Sequence, residues 1–106
     1  MRAMRILVMF DLPTNTKQEK KKYALFRKFL LGDGFRMEQY SVYSRVTLGR
    51  DNMNTHIARI RENLPDIGSV TVLTLTEKQY EDRLTLLERP FANSEDDPGA
   101  QLTLFF

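Results

Sequence analysis

The chain has 106 residues and a mass of 12.4 kDa, which suits one compact domain, and chains this short often complete their core by oligomerising. Its hydrophobic fraction of 42% and charged fraction of 28% exclude a disordered chain, and no apolar run reaches the roughly 20 residues that cross a bilayer. Met1 to Phe10 is too short for a signal peptide, so we expect a cytoplasmic protein. The absence of cysteine excludes disulfides, thiolate metal sites and thiol nucleophiles.

The first predicted element is an unbroken apolar run from Ile6 to Phe10 that ends at Asp11. Such a run is typical of a central strand buried on both faces. A carboxylate at its end is a candidate ligand for a hard cation, although acids that follow strands are also common as loop caps. One carboxylate is a poor Mg²⁺ site, because this ion usually needs one or two carboxylates together with waters and a phosphate. A second copy of the chain would supply a second Asp11.

The next segment predicts a helix from about Lys17 to Leu31, with Thr16 and Glu19 at the spacing of a capping box. Its apolar side carries Tyr23, Phe26, Phe29 and Leu30. Its other side carries Lys17, Lys20, Lys21, Arg27 and Lys28. Because Glu19 is the one acid of this helix, the surface favours contact with a phosphate backbone over a merely solvated face. Arg36 and Arg45 add further cations in the next segment.

An alternating pattern from Phe35 to Val46 predicts a half-buried strand region. No Gly or Pro marks a turn within it, so the pattern fits either one strand or two. Tyr40 and Tyr43 would point to opposite faces, so at most one of them lies in the core. Tyr43 is the candidate for stacking on a base or for packing in an interface.

The following segment alternates helix and strand again. Residues 53 to 64 have apolar side chains at helical spacing up to Pro65, with His56 on the polar side and without an assigned role. Residues 70 to 75 predict a strand, and Thr76 with Gln79 predicts a short helix that runs through Leu87.

The chain divides into a core domain, residues 1–88, and a C-terminal part, residues 89–106. The second part is a polar linker that ends in the apolar tail Leu102 to Phe106, for which we expect strand addition to a sheet edge. The order of elements predicts a ferredoxin-like α/β sandwich (α+β, βαββαβ) with both helices on one sheet face. The other sheet face would then be free for a second copy.

Three segments in this order resemble the Cas2 family of CRISPR-associated proteins. They are "ILVMFDLP", "RKFLLGDGFRMEQYSVYSRV" and "VTVLTLTEKQYEDRL", and the resemblance covers roughly residues 4 to 87. The entry to the first helix looks most like members from type II systems, which contain Cas9. The resemblance implies a homodimer in which the Asp11 residues of both copies face each other as Mg²⁺ ligands and catalytic residues. It also implies that the tail pairs with the partner protomer's sheet.

Two roles follow from this resemblance. Family members are described as endoribonucleases or double-strand DNases, which would make the chain a metal-dependent endonuclease acting through Asp11. They also bridge dimers of the Cas1 integrase and hold duplex DNA during spacer integration, in antiviral defence. We favour the adaptor role, because a lone acid is a sparse active site whereas cations are plentiful. A regulatory ferredoxin-like domain that binds a small molecule is a more remote alternative.

Overall fold

The computed structural model describes residues 2–89, which form one antiparallel sheet and three helices. The elements in chain order are β1 (Ala3–Asp11), α1 (Lys17–Gly32), β2 (Arg36–Gln39), β3 (Val42–Leu48), α2 (Arg50–Glu62), β4 (Ser69–Thr76) and α3 (Glu77–Glu81). This is the predicted ferredoxin-like α+β order, followed by one short helix. None of the helices in the described residues has the length and apolar character of a membrane span.

The sheet has the strand order β2-β3-β1-β4, so the apolar first strand lies in the interior. Val8 of β1 pairs with Tyr43 of β3 on one side and with Val72 of β4 on the other. Both pairings are antiparallel, and α1 and α2 are the crossovers that connect β1 to β2 and β3 to β4, strands that follow each other in sequence but are not neighbours in the sheet. The prediction of a central strand that ends at Asp11 is confirmed.

The core lies between the sheet and the two long helices, and we call this side of the sheet the helix face. Ile6, Val8 and Phe10 point to it from β1, and Tyr23 and Leu30 meet them from α1. Each fully buried apolar side chain of this kind contributes about 1.5–3 kcal/mol relative to an exposed one. The predicted capping box of α1 is present, because Thr16 accepts from the Glu19 amide and the Glu19 carboxylate accepts from the Thr16 amide.

The region from Phe35 to Val46 is two strands, joined by a tight turn at Tyr40 and Ser41. The turn contains no glycine, and Ser41 instead adopts the positive φ of 62°. Two long-range hydrogen bonds hold it there: the Tyr23 hydroxyl bonds the Ser41 hydroxyl at 2.8 Å, and the Phe10 amide donates to the Ser41 carbonyl at 3.1 Å. The turn therefore depends on tertiary contacts rather than on a local sequence pattern. For this reason the sequence alone left open whether the region is one strand or two.

The prediction of a short helix that runs through Leu87 is wrong about its end, because α3 ends at Glu81. Residues 83–89 have no regular secondary structure, and Leu84, Leu86 and Leu87 are exposed. Without apolar burial, nothing offsets the conformational entropy that a longer helix would lose. The tail Leu102 to Phe106 lies outside the described residues, as does most of the C-terminal part, so the division at residue 88 stays a prediction.

Candidate functional site

Asp11 is the last residue of β1 and points away from the helices. Alternation along β1 places Arg5, Leu7, Met9 and Asp11 on the second sheet face, which we call the open face. Its neighbour across β4 is Ser69, and Phe10 beside it is fixed by the hydrogen bond to the Ser41 carbonyl. The acid therefore sits at one end of the open face, where it is exposed to solvent.

The carboxylate of Asp11 is available as a ligand. Among residues 2–89 it takes part in no ion pair and no side-chain hydrogen bond, so no internal cation or hydroxyl competes for its oxygens. If Asp11 were a loop-capping acid, its carboxylate would accept a hydrogen bond from a nearby backbone amide. An exposed carboxylate suits a hard oxygen-seeking cation such as Mg²⁺.

One chain does not offer a complete metal site. No group of three or more His, Asp or Glu side chains in the described range is close enough to hold a metal ion. Asp11 alone fits Mg²⁺ only if a second carboxylate, waters or a substrate phosphate complete the octahedron.

Apolar side chains lie between Asp11 and the middle of the open face. Leu7 and Met9 are half-buried, and Leu73 of β4, which pairs with Leu7, is 51% exposed. Leu7 and Leu73 lie in the middle of their strands, and Met9 lies between Leu7 and Asp11. An apolar patch next to an exposed acid in a short chain is a surface that a protein partner would cover.

The other half of the open face is covered by α3 through a polar cluster. The Tyr80 hydroxyl and the Ser44 hydroxyl each donate to Glu38 Oε2 at 2.5 Å, although Glu38 lies on β2 and Tyr80 follows β4. Burial acts to raise the pKa of Glu38, but these two bonds outweigh it and hold the pKa below its ordinary value. Arg5 pairs with Glu77 at 2.5 Å and stacks on the Tyr80 ring, 3.9 Å from its centroid.

This cluster was missed in the sequence analysis. Arg5 lies within a strand, where alternation with apolar neighbours marks a side chain on one face but does not identify its partner 72 residues later. The available signal was a charged residue in the middle of a central strand, which demands a countercharge.

The basic residues of α1 differ in their exposure to solvent and in whether they contact the rest of the protein. Lys17, Lys21 and Lys28 are exposed and lie within one narrow stripe of the helix, which we call the lysine stripe. Lys20 is half-buried beside it, and Arg27 is half-buried and engaged within the protein. Lys22, which the prediction left out, pairs with Asp66 at 2.8 Å.

Arg36 and Arg45 differ in their accessibility. Arg36 is exposed on β2, at the edge of the sheet. Arg45 instead donates to the Asp33 carbonyl at 2.5 Å, directly after α1. Its guanidinium is held in a structural contact, which is a reason against the predicted phosphate contact.

His56 lies in the interior, so the expectation of a solvated imidazole is wrong. It is only 6% exposed, and its Nδ1 donates to Asp33 Oδ2 at 2.7 Å, since a carboxylate only accepts. Arg59 donates to the other Asp33 oxygen at 2.8 Å. Burial acts to raise the pKa of Asp33, but the bonds from His56 and Arg59 outweigh it and lower the pKa. The cluster ties α2 to the end of α1.

Tyr43 also lies in the core. Its exposure is 0%, and its ring stacks on Phe10 with centroids 5.7 Å apart. A ring buried in the core of one chain can neither stack on a base nor pack in an interface, so both roles predicted for Tyr43 are wrong. Tyr40 is the tyrosine of this pair that reaches the surface, and it stacks on Tyr23.

Known proteins match this chain over most of its length. The family model described as CRISPR-associated protein Cas2 matches residues 4–83. Three similar relatives are each named CRISPR-associated endoribonuclease Cas2. The relative from Acidovorax ebreus is 45% identical over 96% of this chain and 100% of its own length. The relative from Streptococcus mutans is 52% identical over 73% of this chain and 71% of its own, and that from Flavobacterium psychrophilum is 43% identical over 98% and 90%.

Proposed function

Because this chain belongs to the CRISPR-associated Cas2 family, we propose that it works in CRISPR adaptation as a dimeric DNA-binding adaptor with an intrinsic metal-dependent endonuclease activity. The observation that carries the proposal is the separation of two features. The exposed Asp11 lies on the open face, whereas the lysine stripe of α1 lies on the outer side of the helix layer. A nuclease centre and a phosphate-binding surface therefore have different places on one chain.

The dimer is the first element of the proposal. Two chains that pack through the Asp11 half of their open faces would cover Leu7, Met9 and Leu73 and bring two Asp11 carboxylates near the two-fold axis. The family resemblance supports this arrangement. The apolar tail, Leu102 to Phe106, would add to the partner protomer's sheet.

The nuclease centre would consist of the paired Asp11 carboxylates. They would hold Mg²⁺, which supplies a bound water of lowered pKa and neutralises charge on the scissile phosphate. The chain's own contribution is to present each carboxylate on a strand end, where no cation of residues 2–89 pairs with it. The relatives' shared name, endoribonuclease, supports RNA as a substrate, and double-stranded DNA is the second candidate.

The adaptor surface would be the lysine stripe, without Arg36, which pairs with Ser44 and so lies on the open-face side of the sheet. These exposed lysines, one helical turn apart from Lys17 to Lys21 and two turns apart from Lys21 to Lys28, would contact backbone phosphates and release counterions, so they would bind a duplex without reading its sequence. In a dimer that packs through the open faces, both helix layers point outward. The stripes are then free to hold protospacer DNA while the Cas1 integrase binds at the two ends.

We regard the adaptor as the main role and the nuclease as an intrinsic activity, with a primarily nucleolytic role as the alternative. The exposed and unpaired Asp11 favours that alternative, whereas the sparse acid content around it favours the adaptor. Among the described residues Asp11 belongs to no group of three or more His, Asp or Glu side chains, so one chain offers little acid–base machinery there.

The test compares three full-length proteins. These are the wild type, Asp11→Asn, and the double variant Lys21→Gln/Lys28→Gln. Each is assayed for Mg²⁺-dependent cleavage of RNA and duplex DNA and for spacer acquisition with the cognate Cas1. We expect Asp11→Asn to lose cleavage and keep acquisition, and the lysine variant to lose acquisition.

Two outcomes would contradict the proposal. Acquisition that disappears with Asp11→Asn and is normal in the lysine variant would make nuclease activity the biological role. Cleavage that survives Asp11→Asn would remove the proposed active-site residue.

A further inference from the structure

Gly68 lies directly against the backbone of Asp11. It is the last residue before β4, and the next residue, Ser69, pairs with Asp11. A Cβ built on Gly68 would lie 2.6 Å from the Asp11 carbonyl oxygen, 2.7 Å from Leu12 Cδ2 and 3.1 Å from Leu12 Cα. Cβ atoms do not approach other atoms this closely, so any side chain at position 68 requires something to move.

Two of the three atoms belong to the backbone, and the third is the end of a buried side chain. The Asp11 oxygen and Leu12 Cα belong to the backbone, and Leu12 is 8% exposed and part of the core. Gly68 also has a φ of 92°, which a residue with a Cβ rarely adopts. A side chain at this position therefore displaces either the Asp11–Leu12 peptide or the start of β4, and each displacement loosens the pairing of Asp11 with Ser69.

We propose that Gly68 is a positioning residue for Asp11: the close approach of its backbone fixes the end of β1, and with it the direction of the Asp11 carboxylate toward a divalent cation. This inference rests on the proposed function of Asp11. The physical reason is the ion's demand for near-ideal octahedral geometry, which a ligand on a loose strand end does not meet.

The chain contains two matched controls. Gly34 has nearly the same backbone conformation, with a φ of 88°, but a Cβ there meets the guanidinium of Arg45, 2.8 Å from its Nη1. That guanidinium is the far end of a long side chain, and Gly34 lies in the connection between α1 and β2. Gly34→Ala therefore reproduces the strain of positive φ without touching Asp11. A Cβ on Gly32 meets nothing within 4 Å, so Gly32→Ala controls for the added methyl group alone.

The experiment measures Mn²⁺ affinity by calorimetry, kcat and KM for cleavage, and the thermal midpoint for the full-length wild type and the three alanine variants. We expect Gly68→Ala to weaken Mn²⁺ binding and lower kcat by about 10- to 100-fold, the usual effect of losing a support of a metal ligand. KM should change little, because the lysine stripe holds the nucleic acid. Gly34→Ala should lower the thermal midpoint by a similar amount while leaving Mn²⁺ affinity and kcat near the wild-type values.

A second variant separates the effect of the added Cβ on Asp11 and Leu12 from the effect of backbone strain at positive φ. Gly68→Asn carries the same Cβ, but asparagine tolerates positive φ better than alanine, so it retains the fold more readily. Its Mn²⁺ affinity should fall as far as that of Gly68→Ala. Equal Mn²⁺ affinity and kcat in Gly68→Asn and Gly34→Ala would overturn the inference.

The Mn²⁺ affinities distinguish a failure of the proposed function from a failure of this inference. If wild type binds Mn²⁺ no more tightly than Asp11→Asn does, Asp11 is not a ligand and both ideas fall. If Asp11→Asn loses Mn²⁺ binding while the Gly68 variants keep it, Asp11 remains the ligand and only the positioning role of Gly68 is wrong.

Discussion

The Tyr80 hydroxyl donates a hydrogen bond to Glu38 Oε2 at 2.5 Å and thereby joins the two edges of the sheet across its open face. Glu38 lies on edge strand β2, and Tyr80 lies on α3, which follows edge strand β4. The bond anchors α3 over one half of the open face, and within residues 2–89 the Asp11 half stays uncovered. The chain thus divides one sheet face into a closed half and a half that is free for a partner.

Tyr80→Phe should destabilise the protein while keeping the ring that Arg5 and Arg83 stack on. We expect a loss of about 1–2 kcal/mol in the free energy of unfolding, because a part-buried carboxylate loses one of its two hydroxyl donors. Urea unfolding measures this loss. Tyr40→Phe is the matched control, since Tyr40 stacks on Tyr23 and its hydroxyl has no hydrogen bond within residues 2–89. Equal stabilities of the two variants would argue against the anchoring role of Tyr80.

The lysine stripe predicts a specific change in the salt dependence of DNA binding. Lys21→Gln/Lys28→Gln should reduce the slope of log K against log salt by about two, close to 0.9 for each lost phosphate contact on a duplex. Fluorescence anisotropy at several salt concentrations measures the slope.

The control for the stripe is Lys22→Gln/Lys78→Gln, which removes the same charge from two lysines that pair with Asp66 and Asp82. Its slope should stay close to that of the wild type. If both double variants lower the slope equally, net charge rather than the stripe determines binding.

The cluster around Asp33 predicts how stability depends on pH. Its pKa in the folded protein lies below the ordinary value of 3.8, because the bonds from His56 and Arg59 outweigh the effect of burial. A lowered carboxyl pKa stabilises the fold above the unfolded-state value, and this contribution is lost as pH falls through the folded-state pKa. Asp33→Asn should therefore cost about 1–3 kcal/mol at pH 7 and much less below pH 3.

Urea unfolding of Asp33→Asn at pH 7 and pH 3 tests this dependence. Glu62→Gln, at the exposed end of α2, is the control and should change stability little at either pH. A deficit of Asp33→Asn that is the same at both pH values would show that the charge of Asp33 does not contribute.

The sequence was sufficient where structure is determined locally. The apolar run that ends at Asp11 predicted a central strand, and the Thr16 and Glu19 spacing predicted the start of α1 because a capping box involves neighbouring residues only. The same holds for Thr76 and Gln79, which do start α3.

The sequence alone was not sufficient where the structure depends on contacts between residues that are far apart in the chain. The turn at Ser41 depends on hydrogen bonds with Tyr23 and Phe10, and no local pattern announces it. His56 looked solvated on a helical wheel, because its partner Asp33 is 23 residues earlier in the chain. Arg45 looked available for phosphate for the same reason, since its partner is a backbone carbonyl.

The most direct test of the account is the stoichiometry of Mn²⁺ binding to the full-length protein, measured by calorimetry together with the solution mass. We predict a dimer that binds Mn²⁺ between its two Asp11 carboxylates, and an Asp11→Asn protein that is still a dimer but no longer binds the ion. A protein that stays monomeric where it binds Mn²⁺, or an Asp11→Asn variant that binds Mn²⁺ as the wild type does, would contradict it.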